Sequence, residues 1–155
     1  MILDTFPLDR TATVSALGFD FGTQRIGVAF GQSLSGTART VCVLKANDGI
    51  PDWSKIEELI AEWQPTALVI GLPYNLDGSD SELLIRATKF AQRLHGRFGL
   101  PVYGMDERLS SHAAIEQIIE ENESHAKTKH IDDVAAQIIL QNWLQELSQQ
   151  QKKVE

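Results

Sequence analysis

The stretch Leu17-Gly18-Phe19-Asp20-Phe21-Gly22-Thr23-Gln24-Arg25-Ile26-Gly27-Val28-Ala29-Phe30 sets a single carboxylate inside an otherwise apolar pair of runs. Val14 to Phe21 reads as a strand, and Ile26, Val28 and Phe30 alternate with small residues as a second strand would. Gly22 to Arg25 is short enough to join them as a hairpin. A chain folded this way carries Asp20 into its interior. An unpaired charge there is costly, so the group must be neutralised by a proton, an ion pair or a metal cation. Asp20 is read as a metal ligand, and a buried ion pair with Arg25 is the purely structural alternative.

The elements that follow define an α/β chain. A third strand is expected over about Thr37 to Leu44, after the turn at Gly36, which makes the opening an antiparallel meander. Pro51-Asp52 starts a helix whose Trp53, Ile56, Leu59, Ile60 and Trp63 recur at helical spacing, and Pro65 stops it. The continuous apolar run Thr66 to Leu72 has the pattern of a central strand covered on both faces, and the order strand, helix, strand requires a parallel crossover. Pro73 to Gly78 is loop chemistry, and Ser79-Asp80-Ser81-Glu82 has capping-box spacing for a helix running to about Phe98. Leu84, Ala87, Ala91, Leu94 and Phe98 form its buried stripe. A fifth strand over Leu100 to Met105 ends in Asp106-Glu107-Arg108. A helix carrying Ala114, Ile115, Ile118 and Ile119 and a polar loop then lead to a last helix opening near Ile131-Asp132-Asp133.

With 155 residues, 43% of them apolar, the chain has material for one core. A single domain is expected over residues 14–147, with a loosely ordered leader at 1–13 and a polar tail at 148–155. The net charge of -7 excludes a protein that coats nucleic acid by bulk attraction. Local charge differs: Leu84 to Phe98 holds Arg86, Lys89, Arg93 and Arg97 and no acid, which is either a phosphate track or a solvated face. The lone Cys42 sits among apolar neighbours and reads as core. No run of eighteen apolar residues and no charged-then-apolar leader suggests a span or a secretory signal, so no membrane partner and a cytoplasmic location are expected.

Three acidic positions from separate parts of the chain could converge at the carboxyl ends of parallel strands: Asp20, Glu107, and Asp132 or Asp133. Carboxylates brought together repel, and they bind protons or recruit a hard divalent cation such as magnesium or manganese. Two such ions about 4 Å apart support phosphodiester hydrolysis. On a helical wheel Asp132 falls on the side of Ile139 and Trp143, making it the better ligand, whereas Asp133 reads as a first-turn acid facing the helix dipole. His95, His112 and His125 lack metal-ligand spacing, and His130 reads as a surface residue.

Four blocks carry a family likeness spanning Leu17 to Leu144: Phe19-Asp20-Phe21-Gly22-Thr23 with Arg25-Ile26-Gly27-Val28-Ala29; Val69-Ile70-Gly71-Leu72-Pro73 with Asn75 and Asp77-Gly78; Asp106-Glu107-Arg108-Leu109-Ser110; and Asp132 with Ala135-Ala136 and Ile139-Leu140. In this order they resemble the YqgF (RuvX) family of the RNase H-like superfamily, related to RuvC-type junction resolvases. The resemblance implies a five-stranded mixed sheet, its first three strands antiparallel, flanked by helices. It also implies that Asp20, Glu107 and Asp132 are the catalytic, metal-binding set. Members are described as candidate Holliday junction resolvases and as nucleases maturing the 5′ end of pre-16S rRNA, the second now favoured.

The expected function is therefore a nuclease using magnesium or manganese, two ions by expectation, on structured RNA, with a DNA junction as the near neighbour. Substrate contacts are expected from Arg25, Asn75, Arg86, Lys89, Arg93 and Arg108. Monomer and homodimer both remain open, although no dimer seam is visible. Asp20-Phe21-Gly22-Thr23 also resembles the phosphate loop of actin-like ATPases, but those need two lobes and this length supplies one. A non-catalytic RNA-processing module is the remaining alternative, and the intact acidic set argues against it.

Overall fold

The computed structural model describes residues 4–7, 13–75, 77–107 and 131–154, with the backbone alone for residues 131–133 and 152–154. Its elements run β1 (Ser15–Asp20), β2 (Arg25–Gln32), β3 (Thr37–Asn47), β4 (Ile50–Pro51), α1 (Trp53–Trp63), β5 (Ala67–Leu72), α2 (Glu82–Phe98), β6 (Val102–Asp106) and α3 (Ile131–Val154). The sheet order is β4-β3-β2-β1-β5-β6. Strands β1 to β4 pair antiparallel in sequence, and β5 lies parallel to both β1 and β6. The expected meander and crossover are both present.

The sheet has six strands, not the expected five. The extra one is β4, folded back on β3 through Asp48 and Gly49, both at positive φ (51° and 82°). Asp-Gly between short extended segments is a strong two-residue hairpin signal, overlapped in this sequence by Pro51-Asp52, which reads as a helix start. Both readings hold in part. Pro51 ends the strand, and the Asp52 carboxylate caps α1 by accepting from the Ser54 amide.

Each strand alternates between two cores. Leu17, Phe19, Leu68 and Ile70 face Ile56 of α1 and Leu84, Ala87, Phe90, Ala91 and Leu94 of α2. Ala16, Val69 and Met105 face the opposite way, onto Ala136, Ile139, Leu140, Trp143, Leu144 and Leu147 of α3. Cys42 is half-buried against the first core. Among the described residues no helix is long and apolar enough to cross a membrane.

One local expectation needs correction, and both chain ends carry structure that the sequence does not signal. The cap of α2 is Ser81, whose hydroxyl accepts from the Leu84 amide and donates to the Pro73 carbonyl; Ser79 is instead engaged with Asp77 inside the loop. The last helix continues to Val154, through the stretch read as a tail. Part of the leader is packed. The Gly104 amide donates to the Asp4 carbonyl, the Trp143 indole donates to the Thr5 carbonyl, and Phe6 stacks on Trp143. Edge strand β6 and a fully buried indole both need such partners, a tertiary demand invisible in residues 4–6 themselves.

Candidate active site

Asp20 is the last residue of β1. Phe19 is in register with Ile70 of β5, so the next step places Asp20 beside Gly71, one strand spacing of about 4.8 Å away. Phe19 faces α1 and α2, and by alternation Asp20 is on the α3 side. Gly71 is in register with Met105 of β6, and Glu107 follows two residues later on the side that Tyr103 and Met105 share with α3. The glycine is what lets the glutamate in. A Cβ on Gly71 would sit 2.5 Å from Glu107 Oε1 and 2.6 Å from Ile139 Cδ1, so the carboxylate lies directly over the Gly71 backbone. Asp20 and Glu107 therefore share one face of the sheet, separated by one side-chain-free position.

Helix α3 runs toward the same place. Its Leu144 packs on Gly31, which pairs with Ala16; Leu140 packs on Gly18, and Ile139 on Gly71. Read from Leu144 back to Ile139, the helix climbs β1 toward its carboxyl end. Extended beyond Ile139, the same axis carries the α3 first turn, with the backbone of Asp132 and Asp133, toward the carboxyl ends of β1 and β5. The side chains of Asp132 and Asp133 lie outside the described residues, as does all of Arg108. Among the described residues no group of three His, Cys, Asp or Glu is assembled.

Burial pushes the Glu107 carboxyl above the ordinary glutamate range, and the neighbouring Asp106 carboxylate pushes it further. No cation among the described residues offsets these two effects. Carboxylate oxygens on one face, one of them withdrawn from water and biased toward its proton, suit a hard divalent ion with oxygen ligands. The residues present fit such an ion.

A group that binds its proton more tightly in the folded chain than in the unfolded one lowers stability as pH rises through that interval. Glu107→Gln therefore raises Tm at pH 7 in EDTA, and the difference from the parent closes near pH 4. Manganese raises Tm for the parent and not for the variant. Thermal melts at the two pH values check this, and a variant that melts lower at pH 7 would contradict it.

The bases form a separate group. Arg86, Lys89 and Arg93 line a groove of about 250 Å3 with Phe21, Asp48, Gly49 and Ile50, on the α2 side of the sheet. Arg86 is ion-paired with Asp48 at 2.6 Å. Arg25 lines a small groove with Gly22, Thr23 and Gln24 in the β1–β2 connection. The Asn75 amide donates to Ser79 Oγ at 3.0 Å and so shapes the loop before α2. A larger cleft, about 420 Å3, opens at the other end of the sheet between Phe30, Arg39 and Trp63, and holds none of the expected site residues. Sequence reasoning passed over Gly71 as a site residue, although it is the only residue without a side chain in an apolar strand.

A profile of the RuvX family, described as Holliday junction resolvase, matches residues 14–146. The chain belongs to the RuvX family. Within it, this RuvX chain is 52% identical over 131 residues to a candidate pre-16S rRNA nuclease of Pseudomonas aeruginosa strain UCBPP-PA14, covering 84% of this chain and 91% of the relative. A protein of the same description from Aeromonas salmonicida is 50% identical over 133 residues, covering 85% and 95%. The RuvX chain also has the fold of Thermus thermophilus RuvC, with a TM-score of 0.58 at 11% identity, covering 89% of this chain and 96% of RuvC. The yeast mitochondrial Holliday junction resolvase gives 0.50 at 12% identity, covering 89% and 82%. The fold is RNase H-like, as the motif blocks implied.

Proposed function

We propose that the chain is a divalent-cation-dependent endonuclease that hydrolyses phosphodiesters of structured RNA, with the 5′ end of pre-16S rRNA as its substrate and the cytoplasm as its location. The observation that supports this most is the pairing of Asp20 and Glu107 across Gly71, at the edge toward which the first turn of α3 is directed. Relatives at half identity described as pre-16S rRNA nucleases favour RNA over DNA.

Asp20 and Glu107 would hold magnesium or manganese, as one ion or a pair, with Asp132, or its neighbour Asp133, as the third carboxylate. A cation held there would supply an activated water and stabilisation of the leaving oxygen. The chain's own groups set the conditions for that chemistry. Glu107 has to lose its proton before it binds a cation, so cleavage falls as pH drops through its raised pKa. Half-burial beneath α3 limits how much water surrounds the carboxylates, which strengthens their interaction with positive charge. Arg25, Arg86, Lys89, Arg93 and Arg108 hold backbone phosphates on either side of the cut, and Asn75, whose side-chain amide donates one N–H to Ser79 Oγ, keeps its second N–H for a phosphate. The catalytic unit is residues 14–147.

If Lys89 and Arg93 each contact a phosphate, replacing both with glutamine lowers the slope of log affinity against log salt by about 1.4 to 1.8. Fluorescence anisotropy over a salt series checks this. An unchanged slope would mean the face is only solvated.

The family's description as Holliday junction resolvase supports a second reading, a DNA four-way junction. A resolvase cuts two strands symmetrically, which favours a homodimer, whereas the RNA reading is compatible with a monomer. Incubating the chain with a pre-16S 5′-leader RNA and with a four-way DNA junction, each with magnesium or manganese, separates the two. Cleavage of the RNA supports the first reading; cleavage of the junction alone would overturn it.

A further inference from the structure

The groove beside α2 already contains an anion, the carboxylate of Asp48. Arg86, Lys89 and Arg93 recur at helical steps along α2 and line it together, with Phe21 behind them and Ile50 at its side. Asp48 comes from the β3–β4 turn and meets Arg86 at 2.6 Å, and its proximity raises the Arg86 pKa further above an already high value. The turn that presents it is pinned. The Gly49 amide donates to the Thr23 carbonyl, the Ala46 amide to the Gln24 carbonyl, and a Cβ on Gly49 would come within 2.8 Å of the Phe21 ring. Phe21 directly follows Asp20 in the chain but packs on the α2 side, so the groove and the carboxylate site lie on opposite faces of the sheet.

We infer that Asp48 is an internal competitor for phosphate in this groove: it occupies Arg86 when the groove is empty and must be displaced for a nucleic-acid phosphate to take its place. This rests on reading the α2 bases as the phosphate track. Two facts make the exchange feasible. Asp48 is 76% exposed and Arg86 38%, and an ion pair at that exposure is held weakly. A phosphate can also reach Lys89 and Arg93, whereas the carboxylate, fixed on its turn, is bonded among the described residues to Arg86 alone. Asp48 thus limits how tightly substrate and product are held without touching the reacting atoms.

The test is the affinity of Asp48→Asn and Asp48→Gly for a labelled pre-16S 5′-leader hairpin, measured in EDTA so that binding is read apart from turnover. Asparagine and glycine both tolerate the left-handed backbone at this position, so the turn survives either change. Both variants should bind about two- to fivefold more tightly than the parent, the range an exposed ion pair supports. Their salt dependence should be steeper, and the gain should vanish in an Arg86→Gln background. If Arg86→Gln weakens binding but neither Asp48 variant strengthens it, the groove is used and the competition is refuted. If none of the three substitutions changes affinity, RNA does not enter the groove and the inference fails with it. Cleavage by the parent with manganese is scored separately, so neither outcome is confused with failure of the nuclease reading.

Discussion

Asp20→Asn cleaves the pre-16S leader RNA at least about a hundredfold more slowly than the parent and remains fully folded. The substitution keeps the size and shape of the side chain at the end of β1 and removes its charge. Disturbing groups that only orient metal ligands costs about ten- to a hundredfold, so losing a ligand exceeds that range. The fold survives in parallel, because the amide fills the same half-buried space at the end of β1. Single-turnover cleavage with manganese, run beside thermal melts, separates the two effects. A variant that cuts as fast as the parent would remove Asp20 from the chemistry.

Gly71→Ala produces the second large loss. The new methyl would stand 2.5 Å from Glu107 Oε1 and 2.6 Å from Ile139 Cδ1, both closer than real contacts allow. Each obstructing atom is the end of a flexible side chain, so the fold yields: the expected destabilisation is near the lower end of the overpacking range, about 1 kcal/mol, or about 3 °C in Tm for a domain of this size. What cannot yield without consequence is the position of the carboxylate. Moving Glu107 by about 1 Å costs on the order of a hundredfold in rate where geometry sets the barrier. Cleavage therefore falls far more than stability does, and manganese affinity falls with it. An active Gly71→Ala chain would mean that Glu107 need not occupy the space over the glycine.

These effects trace back to features of unequal visibility in the sequence. Asp20 could be read because a charge within an apolar strand is a local anomaly. Glu107 could be read because it directly follows an apolar strand, and alternation then fixes its side of the sheet. The antiparallel opening, the crossover and the buried stripe of α2 are likewise written in periods of two and 3.6. Gly71 was legible only as part of a motif, since its role depends on a glutamate 36 positions later and a helix further on. The Asp48–Arg86 pair spans 38 positions, and the docking of Phe6 on Trp143 spans 137; neither leaves a local pattern. The β4 strand did leave one, Asp48-Gly49, but a competing helix signal overlapped it. Choosing between Asp132 and Asp133 still rests on the helical wheel.

The claim common to all of this is that Asp20, Glu107 and an aspartate opening α3 hold one divalent-cation site. Titrating manganese into the parent, Asp20→Asn, Glu107→Gln and Asp132→Asn by calorimetry tests it most directly. The parent should bind, and each substitution should weaken binding at least about tenfold; equal affinity in the parent and all three variants would show that these residues do not form a metal site.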